Sequence, residues 1–254
     1  LNRMSGGRMD MAIGRGDSSM RVMGKKPATL ATLTQSVEAI RTMVSGESYT
    51  YDGSPNPVFM DWTEGHNLPV WIAAYGPKAL KVAGEIGDGL IIQLADPGLC
   101  QWFIEQAKAG GEAAGRDMSN FRVLSCAPVW IGDVETGVKQ TSWFPAVVGN
   151  HVADIVEKYG RDTDLVPDSL TRFIETRQGA GADEGYDYRK HAVKDSDNLY
   201  YVNNAVTESF CIVGPPEVHV EKLKQLEAAG VTQFTIYLTQ GDEERLVAEY
   251  VDKV

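Results

Sequence analysis

The stretch VWIAAYGPKALKVAGEIGDGLIIQ, residues 70–93, contains a complete folding unit. Residues 70–74 are a short continuous apolar run, the pattern of a strand buried on both faces of a parallel sheet. Gly76 stands at a helix N-cap position, and Pro77 at the first helical position, where its missing N–H costs nothing. Residues 78–86 predict a helix with an apolar face of Leu80, Val82, Ala83 and Ile86. Gly87-Asp88-Gly89 ends that helix, and Leu90-Ile91-Ile92 is the next buried strand. The first turn of this β-α-β unit is very tight. It leaves backbone N–H groups at a helix N-terminus, a ready site for a phosphate. The plainer alternative is a tight connection that holds no ligand.

The alternation extends outward in both directions. Residues 9–13 read as a strand entering the glycine-rich loop GRGDSS (14–19), and Leu30, Leu33, Val37, Ile40, Met43 and Val44 sit at helical spacing until Gly46. SYTYDGSPNP (48–57) reads as a small hairpin or extended excursion. Asp96-Pro97 opens a helix closed by Gly115, and residues 122–131 are a long strand. Beyond Gly132 the pattern loosens into short helices over 152–159 and 168–176 and a polar, glycine-rich tract at 177–198. Residues 132–207 are therefore expected to be an excursion or lid, with Tyr186, Tyr188 and His191 as its candidate lid residues. A short strand at 210–213, a proline-led helix, a strand at 231–238 and a helix from near Asp242 complete the chain. Helix and strand alternate throughout, which favours a parallel α/β architecture in a single domain over 1–254. An eight-fold barrel uses roughly 31 residues per βα unit, so about three units are unaccounted for. Either the sheet is open or the chain lacks its beginning.

Composition narrows the partners. A formal charge of -11 argues against nucleic acid or an anionic membrane, so any anion site must be local. Three widely spaced cysteines make a disulfide framework unexpected and favour a reducing, cytoplasmic compartment. No run approaches the roughly 20 apolar residues of a membrane span. The four histidines show no paired metal spacing with the cysteines, so no metal is expected. Neither Gly-x-Ser-x-Gly nor a P-loop is present, which removes the hydrolase and nucleotide-triphosphatase readings.

Four stretches together resemble the bacterial luciferase-like superfamily of flavin- and deazaflavin-dependent oxidoreductases. They are LNRMSGGRMDMAIGRGDSS (1–19), MVSGE followed by YTYDG (43–53), LPVWIAAYGPKALKVAGEIGDGLIIQ (68–93) and FCIVGPPEVHVEKLKQLEAAGVTQFTIYL (210–238). The nearest branch resembles the coenzyme F420-dependent, methylenetetrahydromethanopterin-reductase-like proteins. The resemblance implies a TIM-type (β/α)8 barrel, represented here by strands 4–8, with an insertion after strand 7. The first three strands, roughly ninety residues at the per-unit length above, have no counterpart. It also implies F420 as cofactor, with FMN as the alternative, and a small-molecule substrate. An exposed apolar edge follows as well, for which a homodimer is expected, or else a missing N-terminal segment.

The resemblance then distributes roles. The turn Ala74, Tyr75, Gly76 and Pro77 helps hold the cofactor phosphate, with Gln93 and Leu94 lining the same side. Gly14 and Gly16 permit close backbone approach at a strand end. Asp17 matches an acidic position that serves in some relatives as a proton donor, a task that needs its pKa raised by partial burial; otherwise it caps a turn. Arg15, Arg21, Lys25 and Lys26 form a basic patch in an acidic chain, better suited to the phosphate and polyglutamate tail of F420 than to FMN. The plainer alternative for that patch is a solvated loop. Trp143, Phe144 and His151 follow the long strand and form either an apolar substrate wall or core. Two rival functions stand beside F420 hydride transfer: an FMN-dependent monooxygenase, and a non-catalytic truncated barrel that binds or supports.

Overall fold

The computed structural model describes residues 1–63, 65, 67–149, 151, 188–190, 193, 199, 202–239 and 241–254. Among the described residues, six strands carry the fold: β1 (Met11–Ile13), β2 (Val70–Ala73), β3 (Gly89–Ile92), β4 (Arg122–Ile131), β5 (Ile212–Gly214) and β6 (Gln233–Tyr237). Every pairing between them is parallel. β1, β2, β3 and β4 lie side by side; residues 124–128 of β4 then pair with β6 and residues 129–131 with β5. The sheet and its helices form part of a (β/α)8-type barrel, the architecture that the family resemblance implies. Among the described residues β1 pairs with β2 alone and β6 with β4 alone, so both edges are open.

The helices are α1 (Asp17–Val22), α2 (Leu30–Val44), α3 (Pro77–Ile86), α4 (Pro97–Ala113), α5 (Val134–Thr141), α6 (143–149), α7 (Asn204–Phe210), α8 (Pro216–Ala228) and α9 (Glu243–Lys253). The expected strands and long helices are present within two residues of their predicted ends. Two differences arise. The GRGDSS loop continues into α1, and α5, α6 and α7 occupy part of the expected 132–207 excursion. The helices expected over 152–159 and 168–176, with Tyr186 and His191, lie outside the described residues. The hairpin at 48–57 is real, closed by an antiparallel bridge between Tyr49 and Val58.

One face of the sheet buries Val70, Ile72, Leu90, Ile92, Val123 and Val129 against Leu80 of α3 and Leu99, Phe103 and Ile104 of α4. Helices α3 and α4 approach so closely that a Cβ on Gly84 would stand 1.7 Å from the Ala107 carbonyl oxygen. A Cβ on Gly110 would stand 2.5 Å from that of Lys81. Asp88 ties α2 to the sheet: its Oδ2 accepts from Arg41 at 2.5 Å and from the Val70 N–H at 2.8 Å. Ala12, Trp71, Gly89 and Arg122 stand in register across four strands. There Arg122 lies 4.5 Å over the Trp71 ring, and Asp10 accepts from both Trp71 Nε1 and Arg122. This aromatic and ionic layer lies at the N-terminal end of the sheet.

Candidate functional site

At the C-terminal ends of β1, β2 and β3 the loops surround a cleft of about 860 Å³. This is the end at which a parallel barrel places its chemistry. Gly14, Gly16 and Asp17 enter it from the β1 loop and α1, Ala74, Tyr75 and Gly76 from the β2–α3 turn, Gln93 from the end of β3, and His151 from beyond α6. A Cβ on Gly14 would meet Ala73 Cβ at 3.4 Å, and Gly16 has a φ of 72°, the left-handed region that favours glycine.

The floor is a hydrogen-bonded chain across three strand ends. The Tyr75 hydroxyl donates to Gln93 Oε1 at 2.9 Å and accepts from the Gln93 backbone N–H at 3.2 Å. Gln93 Nε2 donates to the Tyr237 hydroxyl at 2.7 Å, which also lies 3.7 Å from Cys126 Sγ. Burial pushes the Tyr75 hydroxyl well above its usual pKa, and that of Tyr237 up to about 12. Both phenols therefore stay protonated at neutral pH and act as fixed hydrogen-bonding groups. Tyr237 and Cys126 were not foreseen from sequence. The signal available was position: Tyr237 ends a predicted strand, on the barrel's working side.

Asp17 has the opposite charge tendency to the one a proton donor needs, and four other candidates stand outside the cleft lining. Burial alone would raise the Asp17 carboxyl, but hydrogen bonds and charge from His151 and Arg21 outweigh it and hold the pKa down to about 2. Asp17 is thus an ionised partner in an ion pair, the reverse of the raised pKa a proton donor needs. Trp143 and Phe144 do not line the cleft; they are buried in the core, with ring centroids 6.3 and 5.5 Å from that of Tyr237. Leu94 also faces the core, and its carbonyl accepts from Ser125 Oγ at 2.6 Å. Pro77 is the first residue of α3, just behind the cleft wall.

The cleft is cationic within an acidic chain. Among the described residues, Arg15, Arg21, Lys25, Lys26 and Lys78 line it against a single carboxylate, Asp17. Arg15 Nε donates to the Ala28 carbonyl at 2.5 Å, and the Ala28 N–H returns a bond to the Arg15 carbonyl at 3.0 Å. These bonds close the basic loop on itself. The first turn of α3, from Gly76 through Lys78, opens into the same space, so helix dipole and side-chain charge act on one region.

The sequence pattern of the luciferase-like monooxygenase family matches residues 1–233. The chain is 26% identical over 262 aligned residues to a 5,10-methylenetetrahydromethanopterin reductase of Archaeoglobus fulgidus, covering all of this chain and 74% of that protein. It is 29% identical over 248 residues to the reductase of the same name from Methanolobus tindarius, covering 92% and 68% respectively. Among solved structures, the coenzyme F420-dependent tetrahydromethanopterin reductase of Methanopyrus kandleri superposes with a TM-score of 0.67 at 22% identity, over 99% of this chain and 74% of that one. That likeness confirms the fold.

Proposed function

We propose that this chain, which belongs to the luciferase-like monooxygenase family, is an oxidoreductase that uses coenzyme F420 for hydride transfer to or from a small organic substrate. The observation that carries this is the cationic cleft at the C-terminal strand ends, open to the first turn of α3. Its donor set fits the cofactor. Backbone groups of the Ala74–Pro77 turn and the start of α3 suit a phosphate, while Arg15, Lys25 and Lys26 suit an anionic tail. Gly14 and Gly16 give backbone room at the wall, and Gln93, fixed by Tyr75 and Tyr237, offers polar contacts at the floor. When bound, F420 supplies the hydride chemistry; the protein orients it and excludes water.

Two companion readings rest on the fold. The open β1 and β6 edges favour a homodimer. Cys100, Cys126 and Cys211 are buried and unpaired, which suits a reducing, cytoplasmic setting.

A titration of the chain with F420, followed by competition with FMN and read by cofactor fluorescence, tests the function. The expected result is saturable F420 binding that FMN does not displace. Preference for FMN would replace the proposal with a flavin monooxygenase. Binding of neither would leave a non-catalytic barrel.

A further inference from the structure

The floor of the cleft carries an amide that is held at both ends. Gln93 Oε1 accepts from the Tyr75 hydroxyl at 2.9 Å, and Gln93 Nε2 donates to the Tyr237 hydroxyl at 2.7 Å. Tyr75 is itself fixed: its hydroxyl accepts from the Gln93 backbone N–H at 3.2 Å, and its ring lies flat against the His151 imidazole, with centroids 4.9 Å apart. A primary amide has two N–H donors and two lone pairs on oxygen, and each phenol takes one of these. One donor and one acceptor therefore remain, side by side on a half-buried group that lines the cleft. Turning the amide over would set Nε2 against a Tyr75 hydroxyl that already accepts from the backbone, which favours the order observed.

The strand ends beside this amide are bare. Gly14, just past β1, and Ala73, the last residue of β2, come next in the sheet, and a Cβ on Gly14 would meet the Ala73 Cβ at 3.4 Å. Ala74 and Gly76 continue the same wall. None of these four side chains reaches beyond a methyl, so a flat ring can lie against the wall and bring one edge to Gln93. Among the described residues of the lining, Gln93 is the only carboxamide.

We propose that Gln93 reads the imide edge of the cofactor's ring, with Tyr75 and Tyr237 as its positioning residues. This rests on the F420 reading above and deepens it by naming the residue that recognises the ring. The pyrimidinedione of a deazaflavin presents a ring N–H flanked by carbonyls. The free N–H of Gln93 donates to one of those carbonyl oxygens, and its free lone pair accepts from the ring N–H. Two bonds in a fixed order set which way round the ring lies. The phosphate turn and the basic loop cannot do this, because both act on the chain attached to the ring. FMN carries the same edge, so Gln93 selects the class of ring and leaves the choice between the two cofactors to the phosphate and tail contacts. A ligand without that N–H leaves one acceptor of the amide unpaired, and a site built to hydrogen-bond its ligand rejects such an analogue.

The test compares two ligands that differ at that edge alone. One is the hydroxylated deazaflavin nucleoside, the cofactor's ring without phosphate or tail; the other is the same compound methylated at its imide nitrogen. Both are titrated into the chain beside F420 itself and read by ring fluorescence. The unmethylated ring is expected to bind about 10- to 100-fold more tightly than the methylated one. In Gln93→Met, which keeps the length of the side chain, that ratio is expected to fall to near one. In Tyr237→Phe it is expected to shrink, a change that lost packing would not produce, because lost packing weakens both ligands alike. F420 binding with no preference between the two rings in the wild type overturns the proposal and leaves F420 use intact, and this arm needs no variant to fold. F420 binding with no measurable binding of the bare ring overturns it in the same way. A preference that survives in Gln93→Met also overturns it, by assigning the discrimination to the bulk of the methyl group. Failure of F420 itself to bind removes the cofactor reading, and the proposal with it.

Discussion

Asp17 shows how a single side chain can be read correctly in place and wrongly in sign. Its pKa of about 2 in the folded chain lies below the 3.8 of an unperturbed carboxyl. Above pH ~4 both folded and unfolded chains hold it ionised, and its pairing contributes fully. As pH falls from ~4 through ~2, the unfolded chain binds the proton first, so the contribution is lost over that window. After discounting for its partial exposure, the contribution is roughly 1–2 kcal/mol. Urea unfolding of wild type and Asp17→Asn at pH 6 should show that difference, and the two midpoints should converge near pH 2. A gap independent of pH would mean that the ionised carboxylate is not the stabilising group. Tyr75 permits a second prediction at this scale. Removing its hydroxyl leaves Gln93 Oε1 and the Gln93 backbone N–H without that partner. Tyr75→Phe should therefore cost about 1–3 kcal/mol. Calorimetry should read this as a Tm lowered by about 2–4 °C per kcal/mol at this chain length. An unchanged Tm would show that the floor relaxes without cost.

Secondary-structure elements divide by what local sequence can encode. The β2–α3–β3 unit was legible because each boundary has a local cause: an apolar run, Gly76 with Pro77, and Gly87-Asp88-Gly89. Helix α1 was not. It spans six residues, buries none of them and starts from Gly16 with no side-chain cap, so neither periodicity nor a capping residue announces it. Helix α5 does have the Asp133 cap, but its buried face is Gly137, Val138 and Thr141, too weakly apolar to show a period. Trp143 and Phe144 illustrate a different limit. They pack against Tyr237, a partner far along the chain that no local pattern reveals. The close crossing of α3 and α4 was equally hidden, since a glycine in a helical pattern does not say what approaches it. It yields a contrast of two substitutions. Gly84→Ala would drive a methyl into the Ala107 carbonyl, whereas Gly115, at φ 78°, has nothing within 4 Å of a built Cβ. Gly115→Ala should cost only the left-handed penalty of about 1–2 kcal/mol. Gly84→Ala should exceed the usual ~1–3 kcal/mol of overpacking, because backbone on both sides must move. Comparable urea midpoints for the two variants would show that the helices separate easily.

At the scale of the molecule, charge and sheet closure act in opposite ways. Closure is incomplete among the described residues: β1 leaves one side unpaired and Ala12 is exposed, and Gln233 and Thr235 of β6 are exposed as well. Unpaired parallel edges attract further strands, and the homodimer proposed above would cover them. Light scattering should give twice the chain mass with little binding of an apolar-surface dye. A stable monomer that also binds little dye would show that the edges need no cover. Charge works against non-specific association, because an overall -11 repels polyanions while the five cations of the cleft draw one in locally. Such a site gains most from side chains that approach the anion, and salt screens them over a Debye length of about 8–10 Å. Lys25 and Lys26 are exposed on the loop that rims the cleft, where they add charge without supporting the core. The paired substitution Lys25→Ala and Lys26→Ala should therefore leave the unfolding midpoint nearly unchanged. It should weaken F420 binding by roughly tenfold at low salt, the equivalent of about 1.4 kcal/mol. It should also flatten the fall of affinity with ionic strength. Equal weakening at low and high salt would mean that the two lysines act by shape rather than by charge, and the tail would then have to lie elsewhere.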